Sequence, residues 1–199
     1  MRNKILYIDT ETTGMDCVKQ DIIQLAALAE IAGELVGEFE IFCQPYNYDA
    51  IDRKALQVTG YKIEDIKEWH KPQTAYEEFK MFLNKYIDKY DKADKFVVAG
   101  QNVSFDTAFV RAWASKAGDK YIGSYMWRNE IDLKTFTAAA RAWGLLRVPD
   151  LRLETICAAL GVEITKAHNA MADIQATREC LRIFRKMFER FKDIDLKIL

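Results

Sequence analysis

The stretch Ile5-Leu6-Tyr7-Ile8-Asp9-Thr10-Glu11-Thr12-Thr13-Gly14 places four apolar residues directly before two acids. A short continuous apolar run predicts a buried β-strand. Residues two apart on a strand point to the same face, so Asp9 and Glu11 converge if the strand continues through Glu11. Asp-x-Glu is expected about once by chance in a chain of this composition. Taken alone, this motif therefore leaves open a strand end with solvated acids.

Two rarer polar motifs follow in order along the chain. Asn102-x-x-Phe105-Asp106 comes after the apolar run 96–100, and His168-x-Ala170-x-x-Asp173 begins the last long helical pattern. Each is expected roughly 0.02–0.03 times by chance, so coincidence is a poor explanation for the set. Asp106 and Asp173 each lie on the apolar stripe of a predicted helix, where a carboxylate is costly unless paired or bound to metal. The dipole at a helix start is the competing structural explanation for either acid.

The third motif also contains His168, one of only two histidines in the chain. It precedes Asn169, a favourable N-cap residue, so we expect it on the loop that enters the last helix. Four carboxylates and one imidazole are the groups that phosphodiester hydrolysis with two divalent cations requires. The sequence therefore predicts Asp9, Glu11, Asp106 and Asp173 as metal ligands, and these four with His168 as catalytic residues.

Length and composition are those of a globular protein. The chain has 199 residues, of which 50% are hydrophobic, and a formal net charge of −1. We expect one domain over 1–199, with a core over about 4–190 and a short tail, 191–199. The four cysteines lack C-x-x-C spacing, and no run resembles a signal peptide or a membrane span. A cytoplasmic protein with reduced cysteines and no membrane partner is the expectation.

Hydrophobic periodicity and turn residues predict a mixed sheet covered by helices. The predicted strands are about 4–9, 21–31, 36–43, 95–101 and 125–131. The predicted helices are about 49–58, 64–68, 104–117, 132–143, 151–160 and 169–190. One further helix is predicted to start at Thr74-Ala75-Tyr76-Glu77, which has the pattern of a capping box. Short connections between the first three strands favour antiparallel pairing.

The three motifs together resemble the DEDD (DnaQ-like) 3′–5′ exonuclease superfamily, in its histidine branch, over about residues 4–180. The pattern of that branch is D-x-E, then N-x-x-F-D, then H-x-A-x-x-D, and all three parts are intact in this chain. The resemblance implies an α/β fold of the ribonuclease-H-like type. Its mixed five-stranded sheet has the order 3-2-1-4-5, with strand 2 antiparallel and helices on both sides.

The resemblance also implies an activity, which is removal of nucleoside 5′-monophosphates from the 3′ ends of single-stranded nucleic acid with two Mg²⁺ or Mn²⁺ ions. Asp9, Glu11 and Asp173 would hold the first ion, Asp9 and Asp106 the second, and His168 would be the general base. Thr12 and Thr13 match positions against the terminal nucleotide. The full set of expected substrate-binding residues is Thr10, Thr12, Thr13, Gly14, Asn102 and Phe105.

Asp-Thr-Glu-Thr-Thr-Gly resembles the proofreading branch, which favours DNA over RNA as the substrate. The alternatives are an exoribonuclease trimming RNA 3′ ends, a proofreading subunit bound to a polymerase or another replication protein, and a small-molecule phosphodiesterase. The oligomeric state stays open. Arg178, Arg182, Arg185 and Arg190 could contact phosphates, although a solvated helix face is the favoured explanation for them. Phe105, Tyr61 and Trp69 could stack on bases, and core packing is the favoured explanation for Phe105.

Overall fold

The computed structural model describes residues 3–165 and 169–189 of the chain. Five strands form one sheet in the order β3-β2-β1-β4-β5. The strands are β1 (Lys4–Thr12), β2 (Ile22–Ile31), β3 (Glu34–Phe42), β4 (Phe96–Gly100) and β5 (Met126–Asp132). This order confirms the predicted ribonuclease-H-like sheet.

Strand pairing also agrees with the prediction. β2 is antiparallel to both β1 and β3, whereas β4 is parallel to β1 and β5 is parallel to β4. The β2–β3 connection is a tight hairpin in which Ala32 and Gly33 have φ values of 55° and 91°. Positive φ at both central residues is the geometry that matches the twist of paired strands. The parallel strands are joined through helices, as their direction requires.

Seven α-helices cover the sheet in the described part of the chain. They are α1 (Arg53–Thr59), α2 (Ile63–Ile66), α3 (Pro72–Asn84), α4 (Ser104–Lys116), α5 (Leu133–Ala142), α6 (Leu153–Leu160) and α7 (Ala170–Glu189). Short 3₁₀ turns lie at Tyr48–Ala50 and Ile122–Ser124.

Two predicted helix starts are wrong. The predicted helix 49–58 is instead a 3₁₀ turn followed by α1, because the Asp52 side chain accepts from the Lys54 amide and caps a new helix. α3 begins at Pro72 rather than at a capping box on Thr74. Proline suits the first helical position, where its missing N–H would have no helical partner.

The helices divide the core between the two faces of the sheet. Leu6 and Ile8 of β1 pack with α3 and α4 on one face, in a cluster that includes Phe79 and Phe109. Tyr7 of β1 lies on the other face and packs with α5, α6 and α7. Both faces of the central strands are therefore buried, which explains their nearly continuous apolar sequences.

Within residues 3–165 and 169–189, no helix is both long enough and apolar enough to cross a bilayer. The predicted cytoplasmic location and the predicted domain limits of 1–199 stay predictions.

Candidate active site

The first strand is longer than its apolar run, and the extension orients two acids. β1 continues to Thr12, with Asp9 paired to Ala26 of β2 and Glu11 paired to Gln24. Because alternate residues share a face, Asp9 and Glu11 lie on the side of the sheet that α7 covers. The strand continues through Glu11, as the predicted convergence of the two acids requires.

The start of α7 brings a third acid to the same point. The side-chain oxygen of Asn169 accepts from the Ala172 amide at 3.2 Å, which confirms Asn169 as the cap of this helix. Asp173 lies in the first turn, and its amide donates to the Asn169 carbonyl at 2.9 Å. The buried residues of the same helix include Thr177 and Cys180, so Asp173 extends the apolar stripe as predicted.

Carboxylate oxygens of Asp9, Glu11 and Asp173 all lie within 4.8 Å of one another, and we call these residues the three-carboxylate group. They come from two elements that are far apart in sequence, and each side chain is partly exposed. Three oxygens at this spacing can reach one divalent cation. Carboxylate oxygens are the ligands that Mg²⁺ and Mn²⁺ prefer.

Asp106 lies beside this group but is held differently. Its Oδ1 atom accepts from the backbone amide of Thr10 at 2.9 Å and from the Thr10 hydroxyl at 2.7 Å. The residue is only 3% exposed and lies in the first turn of α4. Thr10 points to the face opposite Asp9, so β1 presents acids to α7 on one side and holds the acid of α4 on the other.

The protein environment disfavours negative charge on these acids. Burial raises the pKa of Asp9 well above its usual value, and the charges of Asp106, Glu11 and Asp173 raise it further. Burial and then the charge of Asp173 raise the pKa of Glu11 to about 7. Burial also raises the pKa of Asp106, although the two Thr10 hydrogen bonds oppose that rise. A bound cation would reverse this balance by supplying the missing positive charge.

The end of β1 and the turn after it contain three of the predicted substrate-binding residues. The Thr12 hydroxyl donates to the Gly14 carbonyl at 2.7 Å, and the Thr13 hydroxyl accepts from the Asp21 amide at 2.9 Å. A Cβ atom on Gly14 would lie 1.9 Å from Nε2 of Gln20, so any other residue there would displace the end of the Gln20 side chain. These hydroxyls fix the turn in the described structure, and their contact with substrate stays a prediction.

The other predicted substrate-binding residues lie at the second motif. Asn102 is exposed and has a φ of 61°, a conformation that asparagine tolerates better than most residues. The backbone amide of Asn102 donates to Oδ1 of Asp132 at 2.7 Å. Phe105 is partly buried, with its ring centroid 4.8 Å from that of Phe109. Phe105 therefore packs against the core, and its contact with a base stays a prediction.

His168 lies outside the described residues, as does Arg190. The role of His168 as general base stays a prediction from the motif.

The arginines of α7 have protein partners. Arg178 is 11% exposed and bonds through Nε to the buried carboxylate of Glu30 at 2.9 Å, and Arg185 lies 3.5 Å from the same carboxylate. Arg182 pairs with Glu179 at 3.0 Å. These ion pairs indicate that the three arginines contact acids of the protein itself, which favours a role in stabilising the fold over phosphate binding.

Sequence reasoning missed the polar residues that support the site. Gln24 is fully buried in β2 and faces Glu11 across the strand pair. Tyr61 donates from its hydroxyl to Oε1 of Gln24 at 2.6 Å. The available signal was an amide side chain inside an otherwise apolar strand, Ile22-Ile23-Gln24-Leu25-Ala26-Ala27. Nothing in the sequence paired it with Tyr61.

The RNase T family model, described as an exonuclease, matches residues 6–181. DNA polymerase III of the PolC type from Thermotoga maritima is 28% identical over 191 residues, which are 96% of this chain. The PolC-type enzyme of Bacillus cereus is 24% identical over 172 residues. This chain spans only 12% and 11% of those two polymerases.

Two solved structures of Escherichia coli exonuclease I share the fold. The match to a zinc-bound complex with single-stranded DNA has a TM-score of 0.79 at 21% identity. It covers 96% of this chain and 42% of the exonuclease I chain. The match to a complex with a dT13 oligonucleotide has a TM-score of 0.74 at 22% identity. It covers 94% of this chain and 43% of the exonuclease I chain.

Proposed function

Because the chain belongs to the RNase T exonuclease family, within the DEDD superfamily that its motifs indicated, we propose that it removes nucleotides one at a time from the 3′ end of single-stranded DNA. The products are nucleoside 5′-monophosphates. The observation that carries this proposal is the three-carboxylate group, whose oxygens lie within 4.8 Å of one another at the end of β1.

The residues present fit divalent cations. The donor set is all carboxylate, and burial and neighbouring carboxylates raise the pKa of Asp9 and Glu11, so the protein around these two acids disfavours their negative charge. Asp9, Glu11 and Asp173 would hold one Mg²⁺ or Mn²⁺ ion, and Asp9 with Asp106 a second. When bound, such a pair lowers the pKa of an attacking water and stabilises the departing 3′ oxygen.

The chain's own residues have distinct tasks in this proposal. The paired β1 strand holds Asp9 and Glu11 in one direction, and the capped first turn of α7 holds Asp173 opposite them. Thr10 fixes Oδ1 of Asp106, which leaves Oδ2 as the oxygen for a ligand. His168 accepts the proton of the attacking water, because imidazole titrates near neutral pH.

The relatives favour DNA over RNA as the proposed substrate. The two relatives named above are DNA polymerases, and the two exonuclease I structures are complexes with single-stranded DNA. A proofreading role beside a polymerase is the second candidate, which the PolC-type relatives favour. In that case the partner would be a polymerase or another replication protein.

The test uses one oligonucleotide sequence made as DNA and as RNA, labelled at either the 3′ or the 5′ end. With Mg²⁺ or Mn²⁺ we expect immediate loss of the 3′ label and a descending ladder from the 5′ label, faster on DNA. The 2′-hydroxyl is the difference that this comparison isolates. Chelator should abolish cleavage, because four acids without cations repel a phosphate.

The Asp9→Asn variant is the matched control, since it keeps the shape of the side chain but removes its charge. Internal cuts, or activity that persists in chelator, would overturn the proposal. Addition of a DNA polymerase should leave the ladder unchanged for a stand-alone enzyme and should accelerate it for a proofreading subunit.

A further inference from the structure

The arginines of α7 are already paired with acids, so a single strand of DNA must find its cations elsewhere on the protein. Arg178 and Arg185 pair with Glu30, and Arg182 pairs with Glu179. The formal net charge of the chain is −1, which gives no general attraction for phosphates. Binding of a nucleic acid backbone therefore depends on particular lysines or arginines that are free to contact it.

A lysine of this kind lies at the edge of the sheet where β4 and β5 end. Lys134 is exposed in the first turn of α5, and its Nζ atom donates to Oδ1 of Asn102 at 3.4 Å. Within residues 3–165 and 169–189, no acid forms an ion pair with this ammonium. Its positive charge is therefore not offset by a contacting acid.

The acid nearest to Lys134 in the sequence, Asp132, is occupied by other donors. Its Oδ1 atom accepts from the backbone amides of Asn102 at 2.7 Å and of Lys134 at 3.1 Å. Its Oδ2 atom accepts from the Thr135 hydroxyl at 2.9 Å. Asp132 thus fixes the backbone of both Asn102 and Lys134 without pairing with the lysine side chain.

Asn102 adds a second donor beside the lysine. A lysine ammonium can only donate, so Asn102 faces it with the amide oxygen and keeps its amide nitrogen for another partner. In the described part of the chain, that nitrogen has no hydrogen-bond partner, and Asn102 is exposed. An ammonium and an amide N–H side by side match the oxygens of a phosphate, and lysine and asparagine are common contacts of nucleic acid backbones.

The sheet topology places these two donors near the three-carboxylate group. β1, β4 and β5 are parallel neighbours, so Asn102 and Lys134 follow their strands at the edge where β1 presents Asp9 and Glu11. Neighbouring strands lie about 4.8 Å apart, so the end of β5 lies roughly 10 Å from β1. Thr13, a predicted contact of the terminal nucleotide, lies on the other side of β1, in the connection to β2. A single strand that ends there can continue across β4 to Lys134.

Resting on the proposed function, we propose that Lys134 and Asn102 form a phosphate-binding subsite for the single strand, on the 5′ side of the nucleotide that is removed. The ligand is a phosphodiester group other than the one that is hydrolysed. The subsite contacts the backbone and reads no base, so it serves strands of any sequence.

The experiment measures binding of a fluorescent oligo-dT strand to the full chain by anisotropy, with Mn²⁺ present. In the last linkage of the strand, CH₂ replaces the bridging 3′ oxygen, which keeps the phosphate charge and prevents cleavage. We expect Lys134→Gln to bind up to about 5-fold more weakly at low salt, the value of one exposed ion pair. Because one phosphate contact contributes about 0.7 to the salt dependence of single-strand binding, this difference should shrink about 2.6-fold between about 50 and 200 mM salt.

Lys95→Gln is the matched control, because it removes the same charge far from the proposed subsite. The Lys95 ammonium also donates to an uncharged oxygen, the Gly123 carbonyl, at 2.9 Å. Lys95 precedes β4 and so lies at the opposite end of that strand from Asn102, and its variant should bind as the wild type does. Lys134→Arg keeps the charge and should retain both the affinity and its salt dependence. Unchanged binding in Lys134→Gln, or an equal loss in Lys95→Gln or Lys134→Arg, would overturn the inference.

Failure of this inference is distinguishable from failure of the proposed function. If Lys134→Gln alone weakens binding and reduces its salt dependence, the subsite stands even where the wild type cleaves no unmodified strand. If the wild type cleaves unmodified DNA and Lys134→Gln binds the modified strand equally well, the function stands and the inference fails. A wild type that does not bind the modified strand overturns both.

Discussion

At the scale of single residues, the acids of the site are placed where their charges destabilise the free protein. Asp9 is the clearest case, because burial and three neighbouring carboxylates all raise its pKa. A residue selected for stability at this position would be neutral. Charge retained against such a cost indicates a binding function.

Asp9→Asn should therefore separate stability from activity. We expect the variant to lose cleavage and Mn²⁺ binding, yet to unfold in chelator at a temperature at least as high as the wild type at pH 8. A gain of 1 kcal/mol corresponds to about 2–4 °C for a chain of this size. Thermal unfolding with and without Mn²⁺ measures both effects. A variant that still cleaves DNA would exclude Asp9 as a ligand.

His168→Ala addresses the residue that the motif assigns as the base. We expect kcat to fall roughly 10²–10⁴-fold, the usual contribution of a positioned base. Binding of Mn²⁺ should persist, because the three-carboxylate group is unchanged. Single-turnover cleavage and calorimetry provide the two measurements. Near-normal turnover in the variant would remove His168 from the role of base.

At the scale of elements, β1 is the part of the fold that organises the site. Its alternation places Asp9 and Glu11 toward α7, and it places Thr10 between them on the opposite face, toward α4. The apolar run predicted the strand and the motif predicted the acids. The register that sets Gln24 beside Glu11 could not be predicted, because it depends on how the irregular connection 13–21 closes between β1 and β2.

Thr10 should link the strand to α4 through its hydroxyl. Thr10→Val keeps the shape but removes one of the two hydrogen bonds to Asp106, and we expect it to lower the free energy of unfolding by about 1–3 kcal/mol. Thr10→Ser keeps the hydroxyl and should stay close to the wild type. Urea unfolding measures both. Equal losses in the two variants would indicate that packing of the methyl group, rather than the hydrogen bond, is responsible.

The arginines of α7 show why a charge pattern alone could not predict their roles. Arg178 and Arg182 lie one turn apart on a basic helix, but only Arg178 contacts the buried carboxylate of Glu30. Helical spacing describes the face of α7 and does not reveal the acid of β2 beneath it.

Replacement of the two arginines should therefore have unequal effects. Arg178→Ala leaves a buried charge without its closest partner, so we expect a loss of about 3–5 kcal/mol in the free energy of unfolding. Arg182→Ala removes a surface pair and should cost less than about 1 kcal/mol. Chemical denaturation of both variants measures the two losses in the free energy of unfolding. Similar losses would mean that Glu30 is adequately paired by Arg185 alone.

At the scale of the whole molecule, the sheet order joins motifs that are about a hundred residues apart. β1 and β4 are parallel neighbours, so the second motif follows β4 at the same edge where β1 ends. The topology was predictable because the three motifs together indicated a known architecture. The starts of α1 and α3 were not, since Asp52 and Pro72 set them locally, and Asp49 and Thr74 nearby are also residue types that begin helices.

The gathered acids should also give the whole protein an unusual dependence on pH. Glu11 titrates near 7 in the folded protein, above its ordinary value of 4.5, and Asp9 and Asp106 are raised as well. Between about pH 4.5 and pH 7 the folded state then holds more protons than the unfolded state. Their contribution to stability is present at the acidic end of this window and is lost as pH rises through it.

Carboxyls with lowered pKa, such as those of Asp94 and Asp150, act in the opposite direction, so a single pH profile would not isolate the site. The sharper measurement compares the wild type with Glu11→Gln in chelator. We expect the stability of Glu11→Gln relative to the wild type to increase from pH 5 to pH 8, because only the wild type takes up a proton at this position on folding, and that proton becomes harder to bind as pH rises. Mg²⁺ or Mn²⁺ should reverse the ranking at pH 8, since cations bind only the deprotonated group. Parallel profiles in chelator would mean that Glu11 is ionised freely, and that the site lacks the uncompensated charge on which cation binding depends.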